Sequence, residues 1–510
     1  MRNLVVCCDG TWNTPDQNED GTPTPTNVCR LFNALADKDS DGNPQLKYYH
    51  PGVGTDGTWW ERLAGGGIGV GLSKNIQSAY KWLGVNYQPG DKIFLFGYSR
   101  GAYTVRSTVG MISRCGLLDL AGLDDEELWL RVEQAYKKGY REAKEVAKWV
   151  KEDWAFHNEP GRGAPISFLG VWDTVGALGV PDDMTLLNLL DNSKWYAFHD
   201  TNLSPIVQHA RHAVAIDEMR ASFSPTLWTD IPAGQDVKQI WFPGAHGDVG
   251  GGCPYTGLSN GALKWMMDEA KAVGLAFEDN LYKQVSSNYQ DIMRDSCIGL
   301  FKYLRTQPRS IPLLIKDGLP PEIHCSVFER QENPPITQAP YRKTTVLEQG
   351  ESKEFSVFAA PHWNETGLYL QAGIEYEFKA SGQWLDRTIK CGPAGTSDGK
   401  FHVGEVVHLA GALWGNVERI VQKATKNEQA DFNGTRRVES LPWFALVGAI
   451  ANGGNPTADG TPQPHEIIPI KDGCRYTPEK SGYLYCFAND AWHFYDNNRG
   501  SVNLTITRLT

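Results

Sequence analysis

Lys92-Ile93-Phe94-Leu95-Phe96-Gly97-Tyr98-Ser99-Arg100-Gly101-Ala102-Tyr103-Thr104-Val105-Arg106 is the stretch whose reading decides the fold. A bulky apolar run enters Gly-x-Ser-x-Gly, and a helix-compatible run leaves it at once. That order puts a serine on a sharp strand-to-helix turn, exposed at the carboxyl end of a sheet. Glycines on either side let such a turn close without Cβ clashes. The pentapeptide alone is weak, because the chain repeats it as Gly257-Leu258-Ser259-Asn260-Gly261 and Gly395-Thr396-Ser397-Asp398-Gly399. Only Ser99 has both the strand and the helix. Ser259 follows Pro254-Tyr255 and reads as the cap of a helix over 262–270, and Ser397 reads as a loop residue.

Outward from this turn, the runs 4–8, 166–172 and 237–242 are also mostly apolar and also stop at polar, Gly-rich turns. Their alternation with helical stretches to about residue 275 predicts an α/β fold. The sheet should be mostly parallel, of the α/β-hydrolase type with flanking helices. Ligands of such sheets bind beyond the carboxyl ends of the strands. A serine hydroxyl becomes a nucleophile only when a His takes its proton and a carboxylate holds that His. In this fold the chain order is Ser, acid, His. Asp173 ends Phe168-Leu169-Gly170-Val171-Trp172, and His246 follows Gln239-Ile240-Trp241-Phe242 in a Gly-rich turn. Order, position and residue type agree for Ser99, Asp173 and His246. Asp248 is a second acid near His246 and reads as a loop stabiliser. His209 and His212, around a helical stretch 211–220, lack a strand-end setting and read as structural.

An oxyanion hole needs two backbone N–H groups. One is expected from Arg100, the residue after the nucleophile, and the other from Gly10 or Thr11, just past the strand 4–8. Asp9 reads as a turn residue or an anchor for that loop. The Arg100 side chain places a cation beside the nucleophile, suited to a substrate phosphate or carboxylate, or to a salt bridge with a nearby acid.

At 510 residues the chain calls for two or three domains, and 41% hydrophobic against 21% charged residues is enough to bury large cores. The net charge of −11 excludes nucleic acid as a main partner. The first apolar run is too short for a signal peptide, and no run is long enough for a transmembrane helix. Cytoplasmic synthesis is expected, with leaderless export left open. The ten cysteines show no CxxC pair and read as reduced thiols, with Cys474 and Cys486 the one conceivable bridge. A catalytic domain is expected over 1–332, with a charged helical insert at about 119–160 that is either a lid or a packed helix. A Pro-rich polar linker follows over 333–354, and then an antiparallel β-sandwich over 355–510, where Gly, Thr, Val and aromatics alternate in short runs.

Cys8-Asp9-Gly10-Thr11-Trp12-Asn13, Gly97-Tyr98-Ser99-Arg100-Gly101-Ala102, Val171-Trp172-Asp173-Thr174-Val175-Gly176 and the turn 242–252 resemble a widespread microbial α/β-hydrolase family that includes type VI secretion phospholipase effectors. Ala215-Ile216-Asp217-Glu218-Met219-Arg220-Ala221-Ser222-Phe223 and His324-Cys325-Ser326-Val327 are similar to it as well. The resemblance covers about residues 1–330 and places Ser99, Asp173 and His246 on the family's triad. It implies phospholipase A-like ester hydrolysis, a lipid substrate, peripheral membrane contact and a secretion or immunity partner. Further on, Phe487-Ala488-Asn489-Asp490 and Tyr495-Asp496-Asn497-Asn498-Arg499-Gly500-Ser501 resemble the calcium loop of the PA-I galactophilic lectin sandwich. That resemblance implies Ca²⁺ held by Asp490, Asn497, Asn498 and a carbonyl near Phe494, with a further oxygen from Asp386. It also implies a glycan ligand. Catalysis itself needs no cofactor. Two other readings stay open: an esterase of carbohydrates or polyesters, and a lectin-like binding protein with an inactive hydrolase domain.

Overall fold

The computed structural model describes residues 1–10, 13–52, 67–142, 144–145, 148–151, 153–161, 164–176, 202–317, 320–396, 436–457 and 461–510. The chain divides into two compact units. The first comprises Met1–Pro308, Leu314–Tyr341 and Asn455–Gln463, and the second Arg309–Leu313, Arg342–Gly454 and Pro464–Thr510.

The first unit is built on β1 (Asn3–Cys8), α1 (Asn27–Ala34), β2 (Gln45–His50), α2 (Gly67–Asn86), β3 (Lys92–Tyr98), α3 (Arg100–Cys115), α4 (Asp125–Gln134), β4 (Ile166–Trp172), β5 (Val207–Ala215), β6 (Asp236–Phe242), α5 (His246–Gly250) and α6 (Gly257–Ala272). Its six strands pair in the order β6-β5-β4-β3-β1-β2, and every pairing is parallel. Helices cover both faces, which is why β1 and β4 are buried along their whole length. Leu4, Val6, Leu95, Val109 and Ile112 fill the core on one face. Val5, Phe94, Phe96, Phe168 and Met266 fill the other. Each such side chain contributes about 1.5–3 kcal/mol by leaving water.

The sequence predicts four of these strands and misses β2 and β5. Where a helical stretch was expected from 211, β5 runs through Val207–Ala215 in the interior of the sheet. Its Arg211 is buried because Glu269 and Asp236 pair with it, and His212 because its ring nitrogens meet Thr174 N and Gln239 Oε1. The expected insert is α4, capped by Asp124 Oδ1 on Glu127 N and continued by a π-helical turn, Ala135–Arg141. Leu128, Val132, Ala135, Tyr136 and Tyr140 lie in the main core, so this element is a packed helix. Leu130 is exposed.

The second unit holds β7 (Ser352–Phe358), β8 (Asn364–Leu370), β9 (Tyr376–Asp386), β10 (Ile389–Cys391), β11 (Leu446–Ala451), β12 (Glu466–Ile468), β13 (Gly473–Tyr476), β14 (Gly482–Ala488) and β15 (Asn498–Arg508). One antiparallel sheet has the order β7-β15-β9-β10 with β13 on β9, and the other the order β8-β14-β11-β12. Both contribute to one core that includes Tyr376, Phe378, Trp384, Leu446, Leu484 and Ile506. The segment read as a linker is divided between the units. Its first part is tied down by Gln338, which bonds the Met293 backbone in both directions, and by Tyr341 Oη on Asp217 Oδ2. All ten cysteines are free thiols, Cys474 and Cys486 included. Among the described residues no helix is long and apolar enough to cross a membrane.

Candidate active site

Ser99 sits between β3 and α3 with φ 55° and ψ −120°, a backbone conformation rare for a residue with a Cβ. The surroundings hold it there. Ser99 N donates to Trp172 O at 3.0 Å, and a Cβ on Gly101 would collide with the carbonyl oxygens of Cys8 and Asp9. Glycine is thus required where α3 crosses the end of β1. Asp173, the first residue past β4, also has a positive φ, 39°. Its carboxylate is fully buried, with Oδ1 accepting from Ala215 N at 3.0 Å and Oδ2 meeting His246 Nδ1 at 2.6 Å. His246 opens α5 just beyond β6. Its ring lies 4.7 Å from that of Tyr98, the neighbour of Ser99, and Tyr98 Oη donates to His246 O at 3.2 Å. Three strand ends therefore deliver Ser99, Asp173 and His246 to one neighbourhood. Among the described residues Ser99 Oγ has no hydrogen-bond partner, and in resting enzymes the nucleophile–base contact often tightens only with substrate.

Burial pushes the His246 pKa below the ordinary imidazole value, although Asp173 works in the opposite direction. The ring is therefore neutral at neutral pH, the form a general base needs. Burial, with some repulsion from Arg220, also lowers the Arg100 guanidinium to about 10, which leaves it a cation at neutral pH. The Arg100 amide lies in the first turn of α3, where amides and the helix dipole favour an anion.

The other expected oxyanion donors fare differently. Gly10 lies against Ser99, since a Cβ there would stand 3.3 Å from Ser99 Cβ. Its N–H, however, donates to Asp9 Oδ1 at 2.7 Å, because the Asp9 carboxylate curls back onto the next amide. Thr11 lies outside the described residues. Asp9 is an anchor: Thr26 Oγ1 and Tyr49 Oη both donate to its Oδ2 at 2.6 Å. Asp248 caps α5, its Oδ2 accepting from Ala245 N and Arg294 N, and burial raises its pKa to about 7. His209 pairs with Asp236 away from this neighbourhood. Ser259 lies inside α6, with its hydroxyl on Thr256 O, so Thr256 and not Ser259 is the cap residue. Ser397 is outside the described residues.

In the second unit, Asp490, Asn497, Asn498 and Asp386 come together, with Phe494 in the turn Trp492–Asn497 between them. Asn498 Nδ2 donates to Asp490 Oδ2 at 3.0 Å and Asn497 Nδ2 to Asp386 Oδ1 at 3.1 Å. Among the described residues the Oδ1 atoms of both asparagines are buried without a partner. Burial raises the Asp490 pKa to about 6, with a smaller contribution from Asp386, whose own carboxyl is also pushed up by burial.

Asp217 to Phe223 carry no role that the sequence reveals, yet side chains of this stretch touch the site. Phe223 meets the His246 ring edge-on at 5.1 Å, and Glu218 Oε2 accepts from His246 N at 3.2 Å.

Residues 2–269 match the family described as T6SS phospholipase effector, Tle1-like, catalytic domain. An uncharacterized protein of Saccharomyces cerevisiae is 29% identical over 264 residues, 45% of this chain and 33% of that one. The chain thus matches about a third of the length of that curated relative. Among solved structures, an uncharacterized protein from Pseudomonas aeruginosa has 17% identity and a TM-score of 0.33, over 57% of this chain and 49% of that one. The Tle1 effector bound to the VgrG spike of the type VI secretion system has 17% identity and a TM-score of 0.27, over 49% and 50%. A PllA-like lectin, the EclA N-terminal domain, has 16% identity and a TM-score of 0.18, over 31% and 94%.

Proposed function

The chain belongs to the Tle1-like family of type VI secretion phospholipase effectors through its catalytic domain, residues 2–269, and from that membership we propose that it is a serine esterase acting on phospholipids. The observation that carries the mechanism is the 2.6 Å bond between His246 Nδ1 and buried Asp173 Oδ2, beside a serine held at positive φ. Ser99 Oγ attacks the ester carbonyl carbon while its proton passes to His246 Nε2. The C–O bond to the alcohol then breaks, and the alcohol leaves with that proton. Water, deprotonated by the same imidazole, releases the acyl group as a carboxylic acid. Asp173 fixes the tautomer and stabilises the imidazolium. The amide of Arg100 stabilises the oxyanion, and its guanidinium favours a substrate carrying phosphate. Membership of an effector family supports export by a type VI apparatus and a partner on that route.

The test is a product screen on phosphatidylethanolamine and phosphatidylglycerol vesicles. Wild type should release fatty acid and lysophospholipid, and Ser99→Ala should release neither. Intact lipids with acetate released from an acetylated polysaccharide would replace this reading with a carbohydrate esterase.

Calcium is part of the proposal for the second unit. Buried, unpartnered Asn497 and Asn498 oxygens beside two carboxylates form an oxygen-only donor set, which suits a hard cation. Asp490, Asn497, Asn498, Asp386 and the Phe494 carbonyl would hold the ion. Its charge would offset the buried Asp490 and the half-buried Asp386 and shape a surface for a glycan. Calcium at a hundredfold excess over Kd should stabilise the fold by about 2.7 kcal/mol. That corresponds to roughly 5–10 °C in the melting transition of the second unit. A melt of the full chain identical in calcium and in chelator would defeat the assignment.

A further inference from the structure

The loop between β5 and β6 carries a charge pair, Glu218 and Arg220, that the hydrolytic reading does not use. Ile216 N donates to Phe242 O at 3.0 Å and Asp217 N to Gly244 O at 2.9 Å, while Gly244 N donates back to Asp217 Oδ2 at 2.7 Å. These bonds zip the start of the loop onto the turn that carries His246. Glu218 then turns inward, its carboxylate fully buried. Its Oε2 accepts from His246 N at 3.2 Å, and Ser296 Oγ donates to Oε1 at 2.9 Å. Arg220 grips the same carboxylate with a fork, Nε to Oε1 and Nη2 to Oε2, both 2.8 Å. Planar, two-pronged pairing of this kind fixes orientation as well as charge. So fixed, the guanidinium lies 3.5 Å from the centre of the Phe223 ring and 4.6 Å from that of Phe301. Phe223 in turn stands edge-on to the His246 ring at 79°, and the Tyr98 ring lies 4.7 Å from the same imidazole.

We infer that Glu218, Arg220 and Phe223 are positioning residues for the general base: Glu218 pins the His246 backbone, and Arg220, held by Glu218, presses Phe223 against the imidazole. The physical need is plain. A 2.6 Å bond at Nδ1 fixes one end of the ring, yet the ring can still pivot about that bond and move Nε2 away from Ser99. An aromatic wall and a fixed backbone remove that freedom. Arg220 cannot drift, because its charge is buried against a carboxylate that also holds the histidine. None of the three residues touches the reacting atoms, so their loss should appear in turnover and not in substrate capture.

The inference rests on the proposed hydrolase reading, and the experiment separates the two. The full chain is reacted with a fluorophosphonate. The Ser99 Oγ–P bond forms, the P–F bond breaks, fluoride leaves, and the hydroxyl proton goes to His246. Labelling rate, kcat and KM on a soluble p-nitrophenyl ester, and the melting temperature are then compared for wild type, Glu218→Gln and Phe223→Leu. Loss of positioning should slow labelling and kcat by about 10²-fold, while KM stays within about twofold. Phe223→Leu leaves the Glu218–Arg220 fork intact, so it decides the matter if Glu218→Gln does not fold. Wild-type labelling rates in every variant that folds would overturn the positioning role alone. A wild type that does not label would overturn the hydrolase reading, and the role of His246 as base with it.

Discussion

Ser99→Ala should lower kcat on a soluble ester by about 10⁵- to 10⁶-fold, the loss seen when a triad nucleophile is removed from a serine hydrolase. The size follows from what the residue supplies. Without Oγ there is no acyl-enzyme, and His246 has no hydroxyl to deprotonate, so only the residual effects of binding and charge stabilisation remain. The same change should hardly affect folding. Among the described residues Ser99 Oγ makes no hydrogen bond, so its removal orphans no donor or acceptor. Alanine inherits the positive φ, 55°, that the turn already imposes. Stability within about 0.5 kcal/mol of wild type is therefore expected. Ser259→Ala is the matched control, since that hydroxyl caps nothing catalytic and bonds Thr256 O inside α6. Ester turnover by Ser99→Ala within tenfold of wild type would remove Ser99 from the mechanism.

How much of this was legible in the chain depends on where each signal resides. Strands β1, β3 and β4 announce themselves because parallel strands buried on both faces must be apolar, and β6, at the sheet edge, through its buried end Ile240-Trp241-Phe242; each stops at a turn with its own polar marker. Ser99, Asp173 and His246 are visible for that reason. Strand β5 reads Val-Gln-His-Ala-Arg-His-Ala-Val-Ala, and its polar residues hide it. They are tolerated inside the sheet only because Glu269, Asp236, Gln239 and the Thr174 amide meet them, partners that spacing cannot reveal. Strand β2 is half-exposed at the sheet edge and lacks the apolar run altogether. The same limit applies to Glu218 and Arg220. Their motif stands out as a string, but its work is done on a histidine 28 residues away. It also explains Gly10: the sequence puts the loop beside Ser99, where it lies, but cannot tell that Asp9 takes its amide. Residues 455–457 and 461–463 belong to the first unit, although the chain flanking this segment belongs to the second. There Asn455 pairs with the Leu227 backbone through both ends of its amide, a contact between residues 228 apart that the sequence does not mark.

Asp173→Asn tests the one contact that carries the mechanism, and its effect should be nearly as large as that of losing Ser99. Asp173 accepts from Ala215 N on Oδ1 and from the imidazole Nδ1–H on Oδ2. An asparagine has a single oxygen, and the Ala215 amide can only donate, so that oxygen must face Ala215. Its NH₂ then faces His246 Nδ1, which must accept. The imidazole proton is forced onto Nε2, the nitrogen that should receive the proton of Ser99. Turnover should fall about 10⁴-fold, as the same exchange does in other triads, with no large change in KM. The pH profile offers a separate check. In wild type the working base is neutral His246, whose pKa burial holds below 6.5, so kcat/KM should fall only below that pH. Removing the Asp173 charge takes away support for the imidazolium. The acid limb of whatever activity survives should therefore move lower still. An Asp173→Asn enzyme within tenfold of wild type, or one whose acid limb does not move lower, would mean that this carboxylate does not orient the base.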